Sequence, residues 1–197
     1  MSFRLGLTGS IGMGKSTTAQ MFADADCAVW DADAAVHRLY SQGGAAVKPM
    51  AEVFPDAIEN GAVSRAALKN IISTDPGALK RIESIVHPLV AADRAKFIEQ
   101  ARSDILVFDI PLLFETGGEK AMDAVAVVYV SDDVQQARVM ARGTMTLDQF
   151  LAIKSKQMPA SVKRARADFV IETDTLEHAR TQVHHIVEQI KKRVSHA

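Results

Sequence analysis

One cysteine, Cys27, is all that this chain of 197 residues carries, and it lies in an apolar segment. No intramolecular disulfide can form, and nothing suggests a thiolate metal site. An excess of charge of one sign is lacking too, since 23 basic and 24 acidic side chains leave a formal net charge of -1. Nothing in that balance pulls the chain toward nucleic acid or an anionic membrane, and no protein partner is evident. A small-molecule ligand is the easier reading. No apolar run approaches the ~20 residues of a membrane span, and no signal-like stretch precedes the first apolar run, so a soluble cytoplasmic protein is expected. Internal repeats, linkers and low-complexity tracts are missing, which argues against an independent second domain. His37, His87, His178, His184, His185 and His196 show no spacing with cysteine or carboxylates that would build a metal site, and His178 and His185 read as surface residues. The 48% of hydrophobic residues is enough for one sizeable core.

Glycine is the residue whose placement says most. Gly6, Gly9, Gly12 and Gly14 crowd into nine positions and are followed at once by Lys15-Ser16-Thr17-Thr18. Gly9 to Ser16 fits G-x-x-x-x-G-K-[ST] and follows an apolar run, Phe3 to Leu7, that reads as a buried strand. A loop that wraps a polyphosphate must turn backbone N–H groups toward the anion, which needs positive φ and close approach; Gly12 and Gly14 supply both. Lys15 would reach the β- and γ-phosphates as a point charge, and the Ser16 hydroxyl would be a ligand of Mg²⁺. Helix from Ser16 to Phe22 would add the partial positive charge of its N-terminus.

Continuous apolar runs at Leu5 to Thr8, Cys27 to Trp30, Ile105 to Ile110, Ala124 to Val130 and Phe169 to Ile171 predict five strands buried on both faces. With helical patterns between them, the fold expected is α/β, a doubly wound parallel sheet. The interval from Asp33 to Ser103 is too long for one crossover helix. Broken at Gly43-Gly44, Pro55, Asn60-Gly61, Pro76-Gly77 and Pro88, it reads as an inserted helical lobe. Leu176, Ala179, Val183, Ile186, Val187, Ile190 and Val194 recur at helical spacing and predict a terminal helix covering the sheet.

Carboxylates close two of the strands. Asp31 and Asp33 follow the second, at the edge where ligands bind in such sheets; one of them could face the phosphate, or one could cap the helix starting near Ala34. Asp109 ends the third run in the manner of a Walker B strand, and Pro111 stops that strand. Leu112 to Glu115 either close the core or line an acceptor pocket. Arg138 and Arg142 lie one turn apart on a helix predicted from Asp132 onward and share its face. Lys154, Lys156, Lys163, Arg164 and Arg166 read mostly as a solvated face. A mobile basic lid would suit phosphoryl transfer, and Arg142 is its first candidate.

Together these motifs resemble the dephospho-CoA kinases nearly end to end. The resemblance rests on Leu7 to Thr17, Asp31-Ala32-Asp33, Asn60 to Leu68, Glu83 to Pro88 and Pro111 to Glu115, followed by Arg138, Arg142, Gln157 and Ala167-Asp168. It implies a P-loop, nucleoside-monophosphate-kinase-like core (residues 1–33, 104–137 and 167–197), a helical CoA-binding lobe (34–103) and a helical lid (138–166). The implied reaction is ATP + 3′-dephospho-CoA → ADP + CoA. By the same resemblance Gly12, Met13, Gly14, Lys15, Ser16 and Thr17 bind ATP, and Asp33 is the base at the ribose 3′-hydroxyl. Thr8, Asp31, Arg65, His87, Pro88, Leu112, Leu113 and Glu115 fall along the acceptor. Two positions depart from it. Thr173 stands where many relatives carry asparagine, so that a base contact to ATP is altered or made by backbone. Ser10 replaces a usual glycine, harmlessly if its φ stays negative. The rivals are another small-molecule kinase, against which stands the long lobe with Arg65 and His87-Pro88, and a GTPase-type switch, whose N-K-x-D is absent.

Overall fold

A computed structural model describes residues 2–195; His196 lies outside them. The elements in order are β1 (Phe3–Thr8), α1 (Lys15–Asp24), β2 (Ala28–Asp31), α2 (Ala32–Tyr40), α3 (Val47–Val53), β3 (Ile58–Glu59), β4 (Ala62–Val63), α4 (Arg65–Thr74), α5 (Ala78–Gln100), β5 (Ile105–Asp109), β6 (Ala124–Tyr129), α6 (Asp132–Ala141), α7 (Leu147–Lys156), α8 (Ala160–Arg166), β7 (Phe169–Glu172) and α9 (Leu176–Ser195). The chain forms two compact units, one of residues up to Trp30 together with those from Ala101 onward, the other Asp31–Gln100.

The first unit is built on a five-stranded sheet in the order β2-β5-β1-β6-β7, with β1 parallel to both β5 and β6, and β6 parallel to β7. The five runs expected as strands are these five, within a residue or two at their ends. Alternation along β6 shows how the sheet is covered. Ala124, Ala126 and Val128 join Leu5, Leu7, Phe22, Ile171, Val183 and Ile190 in one core, made with α1 and α9. Val125 and Val127 face the other way and pack with Leu113 and Phe114, against which Met158 and Ala167 also lie. Burial on both faces is why the runs are continuously apolar. The expected terminal helix is α9, although Leu176 at its start is 66% exposed.

The unit Asp31–Gln100 has its own apolar core, in which Leu39, Met50, Phe54, Leu68, Ile82 and Val86 are buried. One sequence expectation fails here. Pro88 does not break a helix: α5 runs through it from Ala78 to Gln100. Proline removes one helical hydrogen bond, leaving the Ser84 carbonyl on an exposed turn. Ile82 and Val86 before it, and Leu89 and Val90 after it, all pack into the same core and hold both halves in helix. The unit is otherwise helical but for one hairpin, at the Asn60-Gly61 break read from the sequence. Asn60 and Gly61, at φ 50 and 76, turn a short antiparallel hairpin of β3 and β4, the conformation that Asn-Gly favours.

Candidate active site

The glycine-rich loop links β1 to α1. Gly12 (φ 78) and Gly14 (φ 87) both take the left-handed backbone region, and Gly14 is the N-cap of α1. A Cβ on Gly12 would stand 2.4 Å from Val139 Cγ2, so glycine is required there twice over, by φ and by space. Ser10 is not among the residues of positive φ, and its replacement of glycine is therefore without strain. Met13 N donates to Ser10 O at 3.2 Å, and Thr18 N to Gly14 O at 3.0 Å, so the loop passes directly into the helix.

Lys15, first residue of α1, forms an ion pair with Asp109 at the end of β5. Asp109 is 1% exposed. The carboxylate expected from an apolar strand closing on an aspartate thus lies beside the loop lysine, and the low-dielectric surroundings make their attraction stronger than at a surface. Ser16 and Thr17 are exposed on the first turn. Among the described residues no group of three or more histidine, cysteine or acidic side chains could hold a metal. Ser16 and Asp109 carry hard oxygen donors of the kind that suits Mg²⁺, an ion that keeps water and phosphate oxygens around it.

Beside the loop is a cavity of about 260 Å³ lined by Gly12, Gly14, Thr17, Arg138, Arg142 and the segment Thr173 to Leu176, among others. Arg138 lies on α6 and Arg142 caps its C-terminal end. Arg138 is held in place: Nη1 donates to Thr173 Oγ1 at 3.1 Å, and Nη2 to the Thr173 carbonyl. Arg142 is exposed. At the rim, His178 Nδ1 is 2.7 Å from Asp174 Oδ1. That contact, with the Thr175 amide, holds the Asp174 carboxyl below its ordinary range.

The segment after β5 is more structural than its sequence suggests. Leu113 is fully buried in the core, whereas Leu112 is 44% exposed. Thr8, also fully buried, donates from Oγ1 to the Pro111 carbonyl at 3.0 Å. Glu115 accepts from Met158 N at 2.8 Å and pairs with Lys163 Nζ at 2.9 Å; Lys163 Nζ also donates to Pro111 O at 3.3 Å. Burial pushes the Glu115 carboxyl up, but the Lys163 and Met158 hydrogen bonds outweigh it and leave it below the usual glutamate value. Lys163 is 0% exposed, which corrects its place on a solvated face. The only signal in the sequence is its spacing with Ala160 and Ala167, which both pack toward the sheet.

In the other unit, the Asp31 carboxylate accepts from Ala34 N at 2.9 Å and caps α2. Asp33, exposed in the first turn of that helix, is not the cap. Arg65 lies over the Tyr40 ring, 5.9 Å from its centroid, and His87 and Pro88 are exposed on α5. Sequence reasoning missed Gln135, a fully buried side chain on α6 whose Nε2 donates to Ile11 O at 2.7 Å. It also missed what Gln157 does, which is to accept from Ile11 N at 3.2 Å.

A parallel sheet whose first strand opens into a glycine-rich loop and helix, with the loop lysine against a carboxylate closing the neighbouring strand and arginines across a cavity, defines a P-loop kinase. The family model for dephospho-CoA kinase (CoaE) matches residues 3–178. The chain is 70% identical over 197 residues to "Dephospho-CoA kinase" of Ruegeria pomeroyi, covering all of both chains. Among solved structures it is similar to TT1252 from Thermus thermophilus (TM-score 0.85, 30% identity, 95% of this chain and 97% of that one). The fold is also that of the dephospho-CoA kinase from Campylobacter jejuni (TM-score 0.69, 24% identity, 98% of each chain). The chain belongs to the dephospho-CoA kinase family.

Proposed function

We propose that this chain transfers the γ-phosphoryl group of ATP to the 3′-hydroxyl of the ribose of dephospho-CoA, giving CoA and ADP, the last step of CoA synthesis. The observation that carries this reading is the glycine-rich loop, formed with its lysine in place, opening beside a cavity with two arginines in a member of this family. In this reading Gly12 to Thr17 hold the phosphates of ATP, with Lys15 moving from Asp109 toward the β- and γ-oxygens. Mg²⁺, held through Ser16, would neutralise charge on the β- and γ-phosphates.

Asp33 accepts the proton of the ribose hydroxyl as its oxygen attacks phosphorus; it is exposed and its neighbour Asp31 does the capping, so its carboxylate is free of that duty. Arg142 meets the transferring phosphoryl group from the lid, residues 138–166, where Arg138 anchors the near end. Arg65, His87, Pro88, Leu112 and Glu115 serve the acceptor, with Thr8, Asp31 and Leu113 supporting them through backbone or packing. The lobe, residues 34–103, takes the CoA portion. No described helix is long and apolar enough to cross a membrane, and we place the activity in the cytoplasm.

Release of ADP from ATP, measured with dephospho-CoA, nucleosides, nucleoside monophosphates or no acceptor, tests the proposal. ADP formation that depends on dephospho-CoA is expected. Equal rates with a nucleoside monophosphate, or with no acceptor, would overturn it.

A further inference from the structure

The two glycines that give the phosphate loop its shape each follow a residue whose carbonyl is held by a side chain from elsewhere in the same unit. Gln135 Nε2, on α6, donates to the carbonyl of Ile11 at 2.7 Å. Thr173 Oγ1, just past β7, donates to the carbonyl of Met13 at 2.8 Å. A trans peptide is planar, with its C=O and N–H pointing in opposite directions. Fixing the carbonyl of Ile11 therefore fixes the N–H of Gly12, and fixing the carbonyl of Met13 fixes the N–H of Gly14. Both N–H groups are thereby directed away from the side chains that do the holding. We infer that Gln135 and Thr173 are positioning residues for ATP, which preset the Gly12 and Gly14 amides for the phosphates; the inference rests on the ATP-binding role proposed above.

Three details give the arrangement its purpose. The Thr173 hydroxyl is spent on both sides, donating to Met13 O and accepting from Arg138 Nη1 at 3.1 Å, and the residue is 7% exposed. A hydroxyl so occupied is directed at the loop and is not available to read a nucleobase. Second, Thr173 is itself fixed at its backbone, since its N–H donates to Tyr129 O at 2.8 Å, so the brace is tied to the end of β6. Third, Gln135 is fully buried, and its Oε1 has no hydrogen-bond partner among the described residues. Burying half of an amide unpaired is unfavourable, so the side chain is poorly explained by stability and well explained by what its NH₂ group does to the loop. Arg138, one turn beyond Gln135 on α6, joins the two braces through Thr173.

The test measures the Kd of ATP with Mg²⁺ and the melting temperature for the parent protein and for Gln135→Leu, Thr173→Val and Thr173→Ser. Loss of one such hydrogen bond should weaken ATP by roughly tenfold in Gln135→Leu and in Thr173→Val. Thr173→Ser, which keeps the hydroxyl, should stay within about twofold of the parent, and the KM for dephospho-CoA should not move in any of them. Gln135→Leu should melt close to the parent, because the unpaired buried oxygen it removes offsets the Ile11 carbonyl it leaves without a donor. Unchanged ATP affinity in folded Gln135→Leu and Thr173→Val would overturn the inference, even with a lowered melting temperature. If Thr173→Val does not fold, Gln135→Leu alone decides. A parent protein that fails to bind ATP at all would instead overturn the proposed function.

Discussion

The two units of this chain are stabilised by different means. Among the described residues, the buried polar and charged side chains Thr8, Ser10, Thr18, Asp109, Gln135, Lys163 and Thr173 all belong to the unit of the five-stranded sheet. The core of Asp31–Gln100 is made of Leu39, Met50, Phe54, Leu68, Ile82, Val86 and their neighbours, with the Tyr40 hydroxyl its main polar group. Buried polar groups favour the arrangement in which their hydrogen bonds are made, and leave a penalty when one partner is lost. Apolar packing has no such direction and tolerates change in shape. The contrast suits a division in which one unit must hold a loop in a single conformation and the other must carry its functional side chains on a folded support.

The sharpest way to test that division lies at Asp33, an exposed side chain in the apolar-cored unit. Asp33→Asn should lower kcat by about 10² to 10⁴-fold, the usual contribution of a general base. Its melting temperature should be that of the parent, because Asp31 caps the helix. An unchanged kcat would return the base to another residue. Lys163→Met should break the polar unit most severely. It leaves Glu115 without its buried partner, and a loss of about 1 to 3 kcal/mol in chemical denaturation is expected, largely recovered in the double variant with Glu115→Leu. If the single variant is as stable as the parent, the pair does not hold the unit.

Met50→Ala is the matching change in the other unit, at a fully buried side chain. It should cost about 2 to 4 kcal/mol through the cavity it leaves, with the Kd of ATP unchanged; a large change in that Kd would show that the two kinds of core are not separable. The smallest effect concerns acid. Glu115 has a carboxyl held below the ordinary 4.5, so its contribution is complete above that value and is lost as pH falls through the lower folded value. Melting temperature followed from pH 6 to pH 3 should fall less steeply in Glu115→Gln than in the parent, and parallel curves would remove Glu115 from the acid response.

The features legible in the sequence are those decided by neighbours in the chain. Gly12, Gly14 and Lys15 announce a phosphate loop because the backbone itself needs them there, and the five strands show because two-faced burial leaves no polar positions to confuse the reading. α9 shows by its period. What stayed hidden depends on contacts distant in sequence. Gln135 reaches Ile11, Thr173 reaches Met13 and Lys163 reaches Glu115 across 124, 160 and roughly 50 positions, and each is an ordinary polar residue on its own. Pro88 misled for the converse reason, since a strong local rule was overruled by packing on both sides of it. Asp31 and Asp33 lie between these extremes: either could face the phosphate or cap a helix by sequence, and the structure gives the cap to Asp31.

The order of the strands also has a consequence in time. β1 is made first, but its hydrogen-bonding neighbours are β5 and β6, beginning with Phe3 opposite Ile105. At the usual synthesis rates of about 5 to 20 residues per second, the ribosome needs roughly 5 to 20 s after finishing β1 before β5 has been polymerised. Asp31–Gln100, whose core is drawn from one continuous stretch, is polymerised before β5 and can collapse without it. The nascent chain therefore presents a folded insert behind an unpaired apolar strand, and a delay at that stage exposes the strand to aggregation or to a holding chaperone. The glycine loop, among the earliest residues to emerge, is among the last to acquire its shape.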